Sequence, residues 1–73
     1  MAGTPPRLGT VTAFDEALGY GSVLSEAVEL FFHCTQIADG TRAIEVGARV
    51  AFSVGPGAPG RWEAFGLVKL APT

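Results

Sequence analysis

The chain has 73 residues, of which 48% are hydrophobic and 16% are charged, and its formal net charge is −2. This length allows one domain, and the hydrophobic content argues against a disordered chain. No apolar run approaches the roughly 20 residues of a membrane span, and the net charge is unusual for a protein that binds phosphate backbones without sequence preference.

Short hydrophobic runs separated by glycine and proline predict five β-strands. The predicted strands cover residues 8–14, 20–24, 28–33, 48–54 and 61–70. We expect residues 1–7 and 71–73 to form extended tails. The first residues lack the apolar segment of a signal peptide, and the single cysteine excludes an internal disulfide. A reducing cytoplasm is therefore the expected compartment.

The connections between these strands differ in length. Residues 15–19 are expected to form a turn, and residues 25–27 are expected to close a hairpin. In the long third connection, residues 35–37 predict one helical turn, Asp39-Gly40 indicates a turn, and Val46 is expected to point inward. Residues 55–60, rich in glycine and proline, predict a flexible loop.

Five short strands are too few for a two-layer sandwich with a useful core. A sheet that closes on itself removes its own edges and encloses the apolar side chains. We therefore predict an all-β domain over residues 8–70, folded as a five-stranded antiparallel Greek-key barrel of the OB type. In the fourth strand Val50, Phe52 and Val54 share one face.

The second and third predicted strands carry aromatic residues on alternate positions. Side chains alternate between the two faces of a strand, so Tyr20, Phe31 and His33 lie outside if Val23 and Phe32 lie inside. Two aromatic rings and an imidazole on adjacent strands form a surface on which nucleic-acid bases can stack. The alternative is that all three are ordinary surface residues of a small barrel.

An ordered set of motifs resembles the cold-shock domain family. The set consists of Gly9-Thr10-Val11, Phe14-Asp15, Leu18-Gly19-Tyr20-Gly21-Ser22-Val23 and Leu30-Phe31-Phe32-His33-Cys34. The family's two motifs are usually written K-G-F-G-F-I and V-F-V-H-F, and the resemblance extends from about Leu8 to Leu70. It implies a barrel that binds single-stranded RNA or DNA and acts as an RNA chaperone or expression regulator.

This resemblance predicts which residues bind nucleic acid. The four predicted binding residues are Phe14, Tyr20, Phe31 and His33, and the candidates for additional contacts are Ser22, Trp62 and Lys69. We call the first four the stacking platform. Trp62 could instead cap one end of the barrel, and Arg61 and Lys69 supply positive charge only if they face the platform.

The chain departs from the family mainly on this surface. Thr12-Ala13 replaces Lys-Trp, Leu18 replaces a lysine, and Ser22 and Cys34 replace aromatic residues. Each stack between a base and an aromatic ring contributes about 1–3 kcal/mol, so three missing rings would cost roughly 3–9 kcal/mol if their effects were additive. We therefore predict weak binding that depends little on salt.

Other functions are also considered. His33 and Cys34 are consecutive on a strand, so they should point to opposite faces, and no third metal ligand has a suitable spacing. We expect no metal, no cofactor and no enzymatic activity. A second hypothesis is a protein-interaction module, in which the changed surface contacts a partner protein or a second copy of the chain.

Overall fold

The computed structural model describes residues 6–57 and 60–71. Its strands are β1 (Arg7–Asp15), β2 (Tyr20–Ser25), β3 (Val28–His33), β4 (Arg49–Pro56) and β5 (Trp62–Lys69). They form a closed barrel in the order β1-β2-β3-β5-β4. The predicted five-stranded barrel is confirmed, and each predicted strand is present with ends shifted by no more than two residues.

One seam of the barrel is parallel, although the sequence predicted antiparallel strands throughout. β3 pairs with β5 in parallel at Phe31 and Glu63, and Ile37 forms a parallel bridge to Leu67. The other neighbouring strands pair antiparallel. A closed ring with an odd number of strands cannot alternate in direction all the way round, so one neighbouring pair must be parallel.

The hairpin of β2 and β3 sets which side chains lie inside. Its strands pair in continuous register from Tyr20 with His33 to Ser25 with Val28. The two turn residues, Glu26 and Ala27, have φ angles of 52° and 65°. Positive φ at both central residues is the geometry of a type I′ turn, whose twist matches that of the flanking strands.

The core contains one continuous group of buried apolar side chains. Its members are Val11, Val23, Leu30, Phe32, Ile37, Ile44, Val50, Phe52, Ala64 and Leu67. The inward orientation predicted for Val50 and Phe52 is confirmed, and Val54 is partly buried against the core. Strand alternation therefore predicted the inward residues of β4, whereas the buried residues of β5, Ala64 and Leu67, are three positions apart and were not predicted.

The prediction that Val46 points inward is wrong. Val46 is 64% exposed, whereas Ile44 is buried. The backbone turns tightly here, since Ala48 N–H donates to the carbonyl of Glu45 at 3.1 Å and Gly47 has a φ of 95°. Val46 lies at the corner of this turn, and its side chain therefore faces solvent.

The connections differ from the predictions in smaller ways. The helical turn is a 3-10 turn at Cys34–Gln36, one residue earlier than predicted. β4 continues into the predicted loop, where Gly55 pairs with Glu63; residues 58–59 of that loop lie outside the described residues. Most residues of the two predicted tails also lie outside the described residues. Arg7, the last residue of the predicted N-terminal tail, is the first residue of β1. Of the helical segments that the structure describes, none could cross a membrane.

Candidate nucleic-acid interface

The hairpin register brings three of the predicted binding residues together on the outer surface. Tyr20 and His33 are cross-strand partners, and Phe31 lies two residues before His33 on the same face of β3. The rings of Tyr20 and His33 meet edge to face, with centroids 6.0 Å apart and an interplanar angle of 87°. Tyr20 is 52% exposed and Phe31 is 43% exposed, so both present ring surface to a ligand.

Phe14 also lies at this surface but belongs partly to the core. A register irregularity between Val11 and Ala13 interrupts the alternation of β1. The Phe14 ring stacks on the buried Phe32 ring at a centroid distance of 6.0 Å and an interplanar angle of 7°. Phe14 is therefore half-buried and held in place by the core.

A cavity of about 410 Å³ opens among these rings. It is lined by Ala13, Phe14, Asp15, Tyr20, Gly21, Ser22, Phe31 and Arg61. Three of these residues, Ala13, Gly21 and Ser22, have small side chains or none. A Cβ at Gly21 would lie 2.6 Å from the carbonyl oxygen of Ala13 and 2.6 Å from Cζ of Phe32, so only glycine fits this position. The platform is therefore a hollow between rings and not a flat surface.

Ser22 forms part of this hollow but exposes little of its own surface. It is 5% exposed, and its Oγ lies 2.9 Å from Oγ1 of Thr12. Thr12 in turn donates to Oε2 of Glu29 at 3.0 Å. Since Glu29 and Phe31 share one face of β3, this chain of hydrogen bonds holds a carboxylate beside the platform.

Arg61 is a site residue whose position the sequence did not reveal. Its guanidinium carbon lies 4.5 Å from the centroid of the Phe31 ring, within the range of a cation–π contact. The parallel pairing of Phe31 with Glu63 places the start of β5 beside β3. Nothing in the local sequence around Arg61 indicates this seam, because it depends on barrel closure.

The residues that line the cavity carry one charge of each sign, and the cation is also paired outside the lining, since Nη2 of Arg61 lies 3.5 Å from Oε2 of Glu63. Arg61 is the one cation and Asp15 the one anion among the lining residues. Oδ1 of Asp15 accepts a hydrogen bond from the backbone N–H of Leu18 at 3.0 Å. That bond closes the turn after β1 and fixes the carboxylate at the edge of the cavity.

Trp62 and Lys69 lie away from the stacking platform. Trp62 is 63% exposed and lines a separate groove with Val28 and Val54, at the end of the barrel where β3 and β5 begin. The Lys69 ammonium lies 2.9 Å from Oδ2 of Asp39 in an ion pair. Neither side chain lines the cavity that Arg61 enters.

His33 and Cys34 lie closer together than strand geometry predicted. Nδ1 of His33 is 4.0 Å from Sγ of Cys34, because Cys34 begins the 3-10 turn and leaves the strand. The same nitrogen accepts from the backbone N–H of Thr35 at 3.2 Å. Within residues 6–57 and 60–71, no group of three or more acidic, histidine or cysteine side chains could hold a metal ion.

Comparison with known proteins gives a family match and a structural match. Residues 7–70 match the family described as "'Cold-shock' DNA-binding domain". The solved structure described as Drosophila Unr CSD456 is 29% identical to the chain and superposes with a TM-score of 0.80 over 96% of it. The chain spans 29% of the length of that structure. Comparison with curated proteins gives no match.

The hydrogen bond from Thr41 and the ion pair with Lys69 at Asp39 make the stability of the fold depend on pH. The backbone N–H of Thr41, and after it the Lys69 ammonium, lowers the pKa of Asp39 to about 2. A lowered pKa stabilises the fold above the unfolded-state value, and this contribution is lost as the pH falls from about 4 to about 2. We expect Asp39→Asn to reduce the loss of stability over this range, measured by urea unfolding. Glu45→Gln is the control, and an equal reduction in both variants would contradict the assignment.

Proposed function

The chain belongs to the cold-shock domain family, and we propose that it binds single-stranded RNA or DNA through the stacking platform and the cavity within it. The resemblance predicted from the sequence motifs is thus confirmed for residues 7–70. We propose further that the chain acts in the cytoplasm as an RNA chaperone or expression regulator. Stacking and backbone contacts suffice for this activity, and it requires no covalent chemistry.

The observation that carries the proposal is the group of exposed rings on adjacent strands. Tyr20 and Phe31 each expose about half of their surface around an apolar hollow. Every base has a π face, so such rings bind single strands with little dependence on sequence. Glycine at position 21 lets the buried Phe32 ring pack directly beneath the floor of the hollow.

The same surface supports the proposal that affinity is reduced. Ala13 and Ser22 form part of the cavity floor at positions where the family motifs have aromatic rings. Each missing ring removes a stacking interaction worth about 1–3 kcal/mol per base. Arg61 is the one cation among the residues that line the cavity. Asp15 in the cavity lining, and Glu29 on the same face of β3 as Phe31, oppose the approach of phosphate.

Replacement of a platform ring tests the binding site. We expect Phe31→Ala to weaken the binding of oligo-dU or oligo-dT heptamers by about 1–3 kcal/mol, because one base loses its stack. Trp62→Ala is the matched control, since this exposed ring lies in a different groove. Fluorescence anisotropy at low salt measures both. Equal losses in the two variants would contradict the assigned face, and no saturable binding up to millimolar ligand would contradict the function.

Salt dependence tests the electrostatic part of the proposal. A single phosphate contact from Arg61 gives a slope of log K against log salt of about −0.7 for a single strand. We expect Arg61→Gln to bring the slope close to zero, while Arg49→Gln, at the start of β4 and outside the cavity lining, leaves it unchanged. A wild-type slope several times steeper would show that other cations contact the backbone.

A second candidate function is protein interaction, and an apolar strip away from the platform favours it. Leu8 on β1, Ala51 on β4 and Val68 on β5 are cross-strand partners. Leu8 is 54% exposed and Val68 is 50% exposed, and contiguous exposed apolar surface marks interaction sites.

Light scattering over a range of protein concentrations tests this second function. If the strip joins two copies, the mean mass rises with concentration in the wild type. It then falls to that of the monomer in Leu8→Lys. A strict monomer that captures no partner protein would count against the second function.

A further inference from the structure

The cavity within the stacking platform has the shape of a site for one base. Its volume of about 410 Å³ falls in the range of roughly 300–1,000 Å³ that small-molecule sites occupy. Its floor consists of Ala13, Gly21 and Ser22, and aromatic rings form its sides. A base can therefore enter among the rings and present one edge to the polar groups at the border.

The two charged groups in the cavity lining are one acceptor, Asp15, and one donor, Arg61. Oδ1 of Asp15 is held by the backbone N–H of Leu18, and Oδ2 has no hydrogen-bond partner among the residues that the structure describes. The Arg61 guanidinium lies on the Phe31 ring, and its Nη2 is 3.5 Å from Oε2 of Glu63. Its other N–H groups are the donors that Arg61 brings to the cavity lining. A base that satisfies both groups must offer donors along one edge and acceptors on a neighbouring edge.

We propose that this cavity selects guanine over uracil, through the Asp15 carboxylate. The inference rests on the proposed single-strand binding and specifies its base preference. Guanine presents two adjacent donors, N1–H and an N2 amino hydrogen, to a carboxylate. Its O6 and N7 are the acceptors that arginine binds most often.

The other bases match the two groups less well. Uracil offers one N–H between two carbonyl oxygens, and these oxygens are repelled by a carboxylate. Adenine and cytosine each offer an amino group next to a ring nitrogen that carries a lone pair, so one carboxylate oxygen faces an acceptor. Guanine alone offers the carboxylate two neighbouring donors.

Three RNA heptamers that differ at one base test the proposal. They are uridine throughout, uridine with one central guanosine, and uridine with one central inosine, which lacks only the N2 amino group. We expect the guanosine heptamer to bind about tenfold tighter than the uridine heptamer, with the inosine heptamer losing most of that gain. Chemical-shift titration of labelled protein gives both the affinity and the contacting residues.

Asp15→Asn identifies the residue responsible. The amide oxygen can still accept from Leu18 N–H, so the turn is kept, while the remaining NH₂ group donates where the carboxylate accepted. We expect this variant to lose the guanosine preference. Glu16→Gln, an exposed neighbour outside the cavity lining, is expected to keep it.

The outcomes separate this inference from the function on which it rests. Saturable binding of all three heptamers with equal affinity would overturn the guanine preference and leave single-strand binding intact. A preference that survives in Asp15→Asn would overturn the role of Asp15. No saturable binding of any heptamer at low salt would overturn the proposed function and the base preference together.

Discussion

The register between β2 and β3 determines both the core and the candidate site. Val23 faces Leu30 inside the barrel, whereas Tyr20 faces His33 outside it. A slip of one residue would exchange the two faces of a strand, which would bury polar groups and expose the interior. The free energy gained by burying the core side chains therefore determines which side chains of the hairpin face outward. The aromatic surface keeps its arrangement even where several of its members have changed.

Barrel closure adds a second constraint, because five strands require one parallel seam. At that seam β5 begins beside Phe31, and Arg61 reaches the ring from there. The cation that lies beside the platform therefore comes from a distant part of the chain. Trp62, the next residue, lies in another groove, since neighbouring strand residues point in different directions.

The small residues Ala13 and Ser22 determine the shape of the candidate surface. Small side chains between larger rings leave a hollow of about 410 Å³, and the close packing of Gly21 over Phe32 keeps its floor rigid. Under the proposed function, fewer lysines and aromatic rings lower the general affinity for a charged strand. The base edge that we propose Asp15 and Arg61 contact would then contribute a larger share of the binding free energy.

The sequence by itself determined the five strands, the inward apolar residues of β2, β3 and β4 and the outward group of Tyr20, Phe31 and His33, because strand alternation is local and repeats every two residues. It also determined the family. It did not indicate that Ile44, Ala64 and Leu67 belong to the core. Only the tertiary structure decided that Val46 faces solvent and that Arg61 lies on Phe31. It likewise separated Trp62 and Lys69 from the platform. The orientation of Val46 depends on a turn in an irregular connection, and the position of Arg61 depends on the pairing of β3 with β5, which are distant in sequence. Neither feature produces a periodic pattern of residues that the sequence could show.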